Sequence, residues 1–168
     1  MDNATGSGPG QYLSFRLADE IFGINVSQVR EILNFTKLTK IPQMPAFMCG
    51  VINLRGNVVP VIDMRIKLKI EAEDTTVDSC IVVVEVNIEG GLIVLGVLVD
   101  SVQEVFELDE KDVEAPPAIG TRLNTEFIKG LGKKEGEFVI ILNIDKVFSI
   151  DELEAASRAE QAGTDEDA

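Results

Sequence analysis

The stretch Phe22–Leu33, FGINVSQVREIL, has a counterpart in Leu95–Phe106, LGVLVDSVQEVF. Gly23 aligns with Gly96, Val26 with Val99, Val29 with Val102 and Glu31 with Glu104. A second pair follows in the same order. Phe47–Met64, FMCGVINLRGNVVPVIDM, aligns with Phe127–Ile144, FIKGLGKKEGEFVIILNI, matching Gly50 to Gly130, Gly56 to Gly136 and Val59 to Val139. Seven extra residues separate the two stretches in the second copy. Two matches in register with aligned glycines imply a duplicated unit. Each copy is too small to bury a core alone, so the two are expected to share one.

The unit is built of strands. Short Val/Ile-rich runs, among them QYLSFRL, EIFGINV, GVINL, CIVVVEVNI, GLIVLGVLV and EFVIILNI, alternate with turn signals. β-Branched residues in short runs predict an all-β barrel or sandwich. Pro60 cannot donate to a ladder and predicts an edge strand or a bulge for VVPVIDM. Gly56 and Gly136 sit where the chain must reverse, and RGN at 55–57 suits a three-residue turn with a residue at positive φ. Gly50 and Gly130 fall near strand starts and mark bulges or close backbone approach. Helical segments are few: a turn or two within NVSQVREIL after an Asn25 or Ser27 cap, a short acidic helix in LDEKDVEAPP, and a C-terminal helix in DKVFSIDELEAASRAEQ. Residues 1–10 are Gly-rich and expected to be disordered. The acidic end, 151–168, is expected to be partly helical or disordered.

Composition removes several chemistries. The 168 residues include no His, which excludes triads and imidazole-ligated metals. Cys49 and Cys80 form no CxxC motif; they read as buried free thiols of a reducing cytosol, with a disulfide the alternative that geometry decides. The net charge of −14 disfavours nucleic acid and anionic membrane. Asp151–Ala168, with seven acids against one Arg, carries −6 of it. The longest apolar stretch, Leu92–Val99, is too short to cross a bilayer, and no leader pattern opens the chain, so a cytoplasmic protein is expected. GLGKKEG lacks the spacing and the Lys-Ser/Thr ending of a phosphate loop, and a hairpin is its expected structure. The acidic clusters at 71–74 and 108–112 lack the pattern of a calcium loop and read as solvated surface. No cofactor or metal is expected, and no carboxylate pair is singled out for catalysis.

Arg55 is a scarce cation at an apolar hairpin. On residue chemistry alone it is either an ordinary exposed turn residue or a partner anchor. Val29 and Ile32 read as core and Glu31 as its rim, with Val102, Val105 and Glu104 repeating the arrangement.

The stretch PAFMCGVINLRGNVVPVIDMR, Pro45–Arg65, resembles the signature of the CheW family of bacterial chemotaxis coupling proteins. FGINVSQVREI, GVLVDSVQEVFEL, LNTEFIKGLG and VIILNIDKVF resemble it in order and spacing, over about Gln11–Ile150. Met64, Asn57 and the acidic tail depart from the usual pattern. The resemblance implies two SH3-like five-stranded β-barrels on a shared hydrophobic interface, at approximately 15–78 and 79–148 within a domain of 11–150, and no catalytic activity. It further implies an adaptor joining the cytoplasmic helical tips of chemoreceptors to the regulatory domain of the histidine kinase CheA, recruited to membrane arrays without inserting. Val29, Glu31, Arg55, Ile81, Gly96 and Val102 match family positions implicated in binding. A CheW-like adaptor of another kinase pathway, such as surface motility, is the alternative, a fragment of a kinase or CheV-type adaptor ranks below it, and a carboxylate-based enzyme is remote.

Overall fold

The computed structural model describes residues 10–68, 70, 75–88, 90–114 and 127–147. Its strands are β1 (Gly10–Leu17), β2 (Glu20–Asn25), β3 (Val29–Asn34), β4 (Met48–Leu54), β5 (Asn57–Asp63), β6 (Cys80–Ile88), β7 (Gly91–Val99), β8 (Ser101–Leu108), β9 (Val113–Glu114), β10 (Ile128–Lys134) and β11 (Glu137–Leu142). Two four-residue helices, α1 (Met64–Lys67) and α2 (Ile144–Val147), follow β5 and β11. The strands form two curled sheets, β8-β1-β2-β11-β10-β9 and β3-β6-β7-β5-β4, consistent with two SH3-like barrels. The two-residue β9 makes the first sheet six-stranded rather than five.

The duplication is visible in the pairing. Parallel β5–β7 sets Val61 opposite Gly96, and parallel β11–β2 sets Ile141 opposite Gly23, which are the positions the repeat aligns. The barrels nevertheless do not follow the repeats. β1 and β2 belong to the six-stranded sheet with β8–β11, while β6 and β7 join β3–β5. A boundary at 78/79 divides the repeats but cuts through the five-stranded sheet. The connection between β7 and β8 explains why: Asp100 alone separates them. One residue cannot reverse a chain into a hairpin, so the strand runs on into the other sheet. A 3-10 turn, Val26–Gln28, makes the equivalent passage from β2 to β3, with Asn25 Oδ1 accepting from Ser27 N at 2.9 Å.

Central strands are buried on both faces. On β6, Ile81 and Val83 point into their own barrel, whereas Val82, Val84 and Val86 point into the core shared with the other barrel. Leu13, Phe15, Leu17, Phe22 and Ile24 meet them there from β1 and β2. Tyr12, Phe106, Leu108, Val139 and Ile141 fill the second barrel. Each such side chain contributes about 1.5–3 kcal/mol when fully buried, so the shared core holds the barrels together.

Several local expectations change in the fold. β5 is not an edge, since β7 and β4 flank it. Val51, opposite Pro60, exchanges its backbone hydrogen bonds with Thr39 on its other side, at 2.8 and 3.0 Å. Pro60 therefore has no donor to supply towards β4, and on its other side the parallel pairing with β7 starts only at Val61. The hairpin turn is two residues, Arg55 and Gly56, closed by the pair Leu54–Asn57. Gly50 and Gly130 do lie at register shifts. A Cβ would come within 2.5 Å of Thr39 O at Gly50 and 2.4 Å of Val113 Cγ1 at Gly130, so both admit close approach of a neighbouring segment. The acidic helix expected near 108–117 is a 3-10 turn, Glu110–Asp112, leading into β9. Of the expected C-terminal helix only the part within α2 lies among the described residues; Gly10, expected in the disordered tail, opens β1, and residues 1–9, the 71–74 cluster and 151–168 lie outside them. Cys49 and Cys80 are free and half-buried.

Candidate functional site

The tip of the β4–β5 hairpin and the β3 edge build the site. Arg55 and Gly56 take φ of +52° and +88°, both left-handed, as a two-residue hairpin with the twist of its strands requires. Asn53 Oδ1 accepts from Gly56 N at 2.8 Å and holds the turn. β3 lies at the opposite end of the sheet order from β4 and β5, and curling of the sheet brings Arg55 to Glu31. The guanidinium donates through both terminal nitrogens, at 2.7 Å to Oε2 and 2.9 Å to Oε1. This two-pronged geometry is the strong form of the ion pair. Its side chains are 73% and 24% exposed, so a partner can reach the arginine while the carboxylate stays seated. The hydrogen bonds from Arg55 hold the Glu31 carboxyl below its ordinary pKa, and Glu31 raises that of Arg55 in turn.

Beside the pair a cavity of about 690 Å³ is lined by Leu54, Val58, Leu92, Ile93 and Val94, with Arg30 at its margin. Leu92 is two-thirds exposed, and Arg30 pairs with Glu85 at 3.3 Å. The mouth thus mixes charged and amide side chains, Arg30, Glu31, Arg55 and Asn57, with apolar ones, the kind of mixture found at protein-recognition surfaces. The second barrel has a reduced version. Lys134 pairs with Glu104, the counterpart of Glu31, beside a cavity of about 240 Å³. Glu135 occupies the turn position equivalent to Arg55, also at positive φ, so the cation has moved into the strand.

The other expected site residues separate into two groups. Val29 and Val102 are half-buried and pack against the shared core from β3 and β8. Ile81 and Gly96 are buried, and a Cβ on Gly96 would lie 2.8 Å from Ile81 Cγ2. These two meet each other within a barrel and offer no surface to a partner. Gly56 and Gly136 turn their hairpins, Gly56 directly after the ion-paired Arg55, and Gly50 and Gly130 serve close approach. Ile32, expected in the core, is 43% exposed, and Val105 is 53% exposed. Both sit on irregular ladders, with shifts between Val29 and Glu31 and between Ser14 and Phe15, which rotate the following side chains outward.

The pairing of Arg55 with Glu31 was missed by sequence reasoning. The alignment of Glu31 with Glu104, each having a cation at or beside a downstream hairpin turn, was the available signal. A further surface also went unseen. Between residues 35–47 and α1 lies a groove of about 830 Å³ lined by Lys37, Lys40, Ile41, Met44, Cys49 and Ile66. Burial, with Asp63 adding to it, pushes the Cys49 thiol up to about 12, so it is not a nucleophile at neutral pH. Among the described residues no three His, Cys, Asp or Glu side chains are grouped to hold a metal, and no helix is long and apolar enough to cross a membrane.

Comparison with known proteins matches residues 11–152 to the family described as CheW-like domain. Chemotaxis protein CheW of Rhizobium meliloti (strain 1021) is 35% identical over 150 residues, covering 89% of this chain and 94% of the relative. The crystal structure of scaffolding protein TtCheW from Thermoanaerobacter tengcongensis superposes with a TM-score of 0.75 at 35% identity, over 86% of this chain and 95% of that one. Protein FrzA of Myxococcus xanthus is 30% identical, over 88% of this chain and 91% of the relative.

Proposed function

The chain belongs to the CheW family of chemotaxis adaptor and scaffolding proteins, and from that premise we propose that it couples the cytoplasmic helical tips of chemoreceptors to the regulatory domain of the kinase CheA. It does so without catalysis, in the cytoplasm, at receptor arrays. The observation that carries this reading is the accessible Arg55, seated on Glu31 at a cavity of mixed charged and apolar lining, on a barrel whose core is shared with a second one. Such a molecule can hold two partner surfaces in a fixed relation, and binding at one then alters affinity at the other. A receptor helix would lie along apolar surface between the barrels, flanked by Val29 and Val102, and the kinase domain would join barrel to barrel. Glu31 and Arg55 contact a partner directly in this scheme. Ile81 and Gly96 act only by keeping a barrel in shape.

Likeness to a relative named FrzA favours one second reading, an adaptor of the same mechanics in a pathway other than chemotaxis. Titration of the protein with the CheA regulatory domain, followed by receptor tip, tests the proposal. Arg55→Glu is expected to keep the fold and to weaken ternary assembly about tenfold or more, the usual loss at an interface anchor. Full assembly by that variant would overturn the role of Arg55. Binding to neither partner by the unaltered protein would overturn the chemotaxis reading.

A further inference from the structure

The shared core between the barrels is apolar, and the hydrophobic drive that holds it together is non-directional. A polar junction at its rim is directional. Arg65, at the start of α1 on the five-stranded barrel, grips Asp63 through Nε and one terminal nitrogen, each at 3.0 Å. Its other terminal nitrogen donates to Asp100 Oδ1 at 2.9 Å. Asp100 is the single residue through which the chain passes from one barrel to the other. Its second oxygen accepts from Ala18 N at 2.6 Å, and its own N–H donates to Arg16 O at 3.0 Å. One carboxylate therefore ties a guanidinium of the first barrel to the β1–β2 hairpin of the second. The Arg65 side chain is 5% exposed and that of Asp100 27%, so water competes little for the bond.

The second crossover carries an equivalent junction in different residues. Asp145 on α2 accepts at 2.8 Å from Asn87 N, in the β6–β7 hairpin, and at 2.8 Å from the Gln28 amide in the 3-10 turn. Gln28 also donates to Glu85 O at 3.2 Å. Here the carboxylate comes from the helix and not from the crossover. The junction of helix, crossover and hairpin recurs although its chemistry does not, which identifies the position rather than any one residue as the thing maintained.

We propose that the Arg65–Asp100 strap sets the angle between the two barrels, making these positioning residues for the partner surfaces on either barrel. The link to partner coupling rests on the adaptor reading above. The test is measurement of backbone residual dipolar couplings on the full-length protein and on Asp100→Asn. That variant keeps an oxygen for Ala18 N–H and leaves the Arg65–Asp63 pair intact, but removes the charge from the strap. In the unaltered protein one alignment tensor fits both barrels. In Asp100→Asn each barrel is expected to fit its own tensor, with the two no longer coincident, and the change in receptor-tip affinity caused by CheA to be lost while each single affinity is kept. A single tensor and an unchanged coupling in the variant would overturn the strap. If Asp100→Asn loses its native spectrum, Arg65→Lys, whose single ammonium cannot fork between Asp63 and Asp100, carries the same test. Failure of the unaltered protein to bind either partner would refute the adaptor reading and leave the dipolar couplings to judge the strap.

Discussion

Placing a methyl group on Gly96 tests whether this glycine and Ile81 matter through packing. The added Cβ would lie 2.8 Å from Ile81 Cγ2 and 3.1 Å from Val61 Cγ2, on a strand flanked on both sides. Overpacking of this kind costs about 1–3 kcal/mol. About 0.4–1 kcal/mol is returned because alanine restricts the unfolded chain at a backbone conformation it can adopt. Gly96→Ala should therefore lose about 0.5–2 kcal/mol, or about 1–8 °C in Tm for a chain of this size. Gly23→Ala is the internal control: its Cβ would meet Ile141 Cδ1 at 3.1 Å and Val139 Cγ1 at 3.2 Å, contacts that shifts of a few tenths of an ångström relieve, so it should cost less than Gly96→Ala. Ile81→Ala removes the clashing methyl group and opens a cavity at a cost of about 2–5 kcal/mol. In the double variant the new Cβ occupies part of that cavity, and the two changes should fall short of additivity by about 0.5 kcal/mol or more. Urea denaturation of the four proteins of this cycle gives the numbers. Additivity, or a Gly96→Ala protein as stable as the parent, would refute the packing argument, as would a selective loss of partner affinity in fully folded Gly96→Ala.

The Glu31 carboxyl should titrate below its ordinary value of 4.5, followed by side-chain carbon NMR, and return towards it in Arg55→Ala. Because its folded pKa is lowered, the stabilisation from this pair is present above pH 4.5 and lost as pH falls through the folded value, so it plays no part in any transition near neutrality. Cys49 should alkylate at pH 8 about a thousandfold more slowly than an unperturbed thiol, as a thiolate fraction of about one in ten thousand requires, read by mass spectrometry in a Cys80→Ser background. Arg65→Met should cost about 3–5 kcal/mol, since it strands the buried Asp63 carboxylate, and Asp63→Asn in the same chain should recover most of it; equal stability of the single and double variants would show that the charge is not the cause.

What the residues determined alone is local or repetitive. Strand runs, hairpin positions, the duplication and the family resemblance follow from β-branched content, turn chemistry and alignment, all set within a few residues or by self-comparison. Tertiary structure decided the rest. In CIVVVEVNI both faces are apolar because one fills a barrel and the other the shared core, so no alternation told which was which, and nothing local showed that Ile81, singled out by the family resemblance, is buried. The Arg55–Glu31 and Arg65–Asp100 pairs join residues brought together only when sheets curl and the chain crosses between them. The exchange of hairpins between barrels depends on Asp100 being too short a link to turn the chain back, and its consequence appears only when both repeats are folded together.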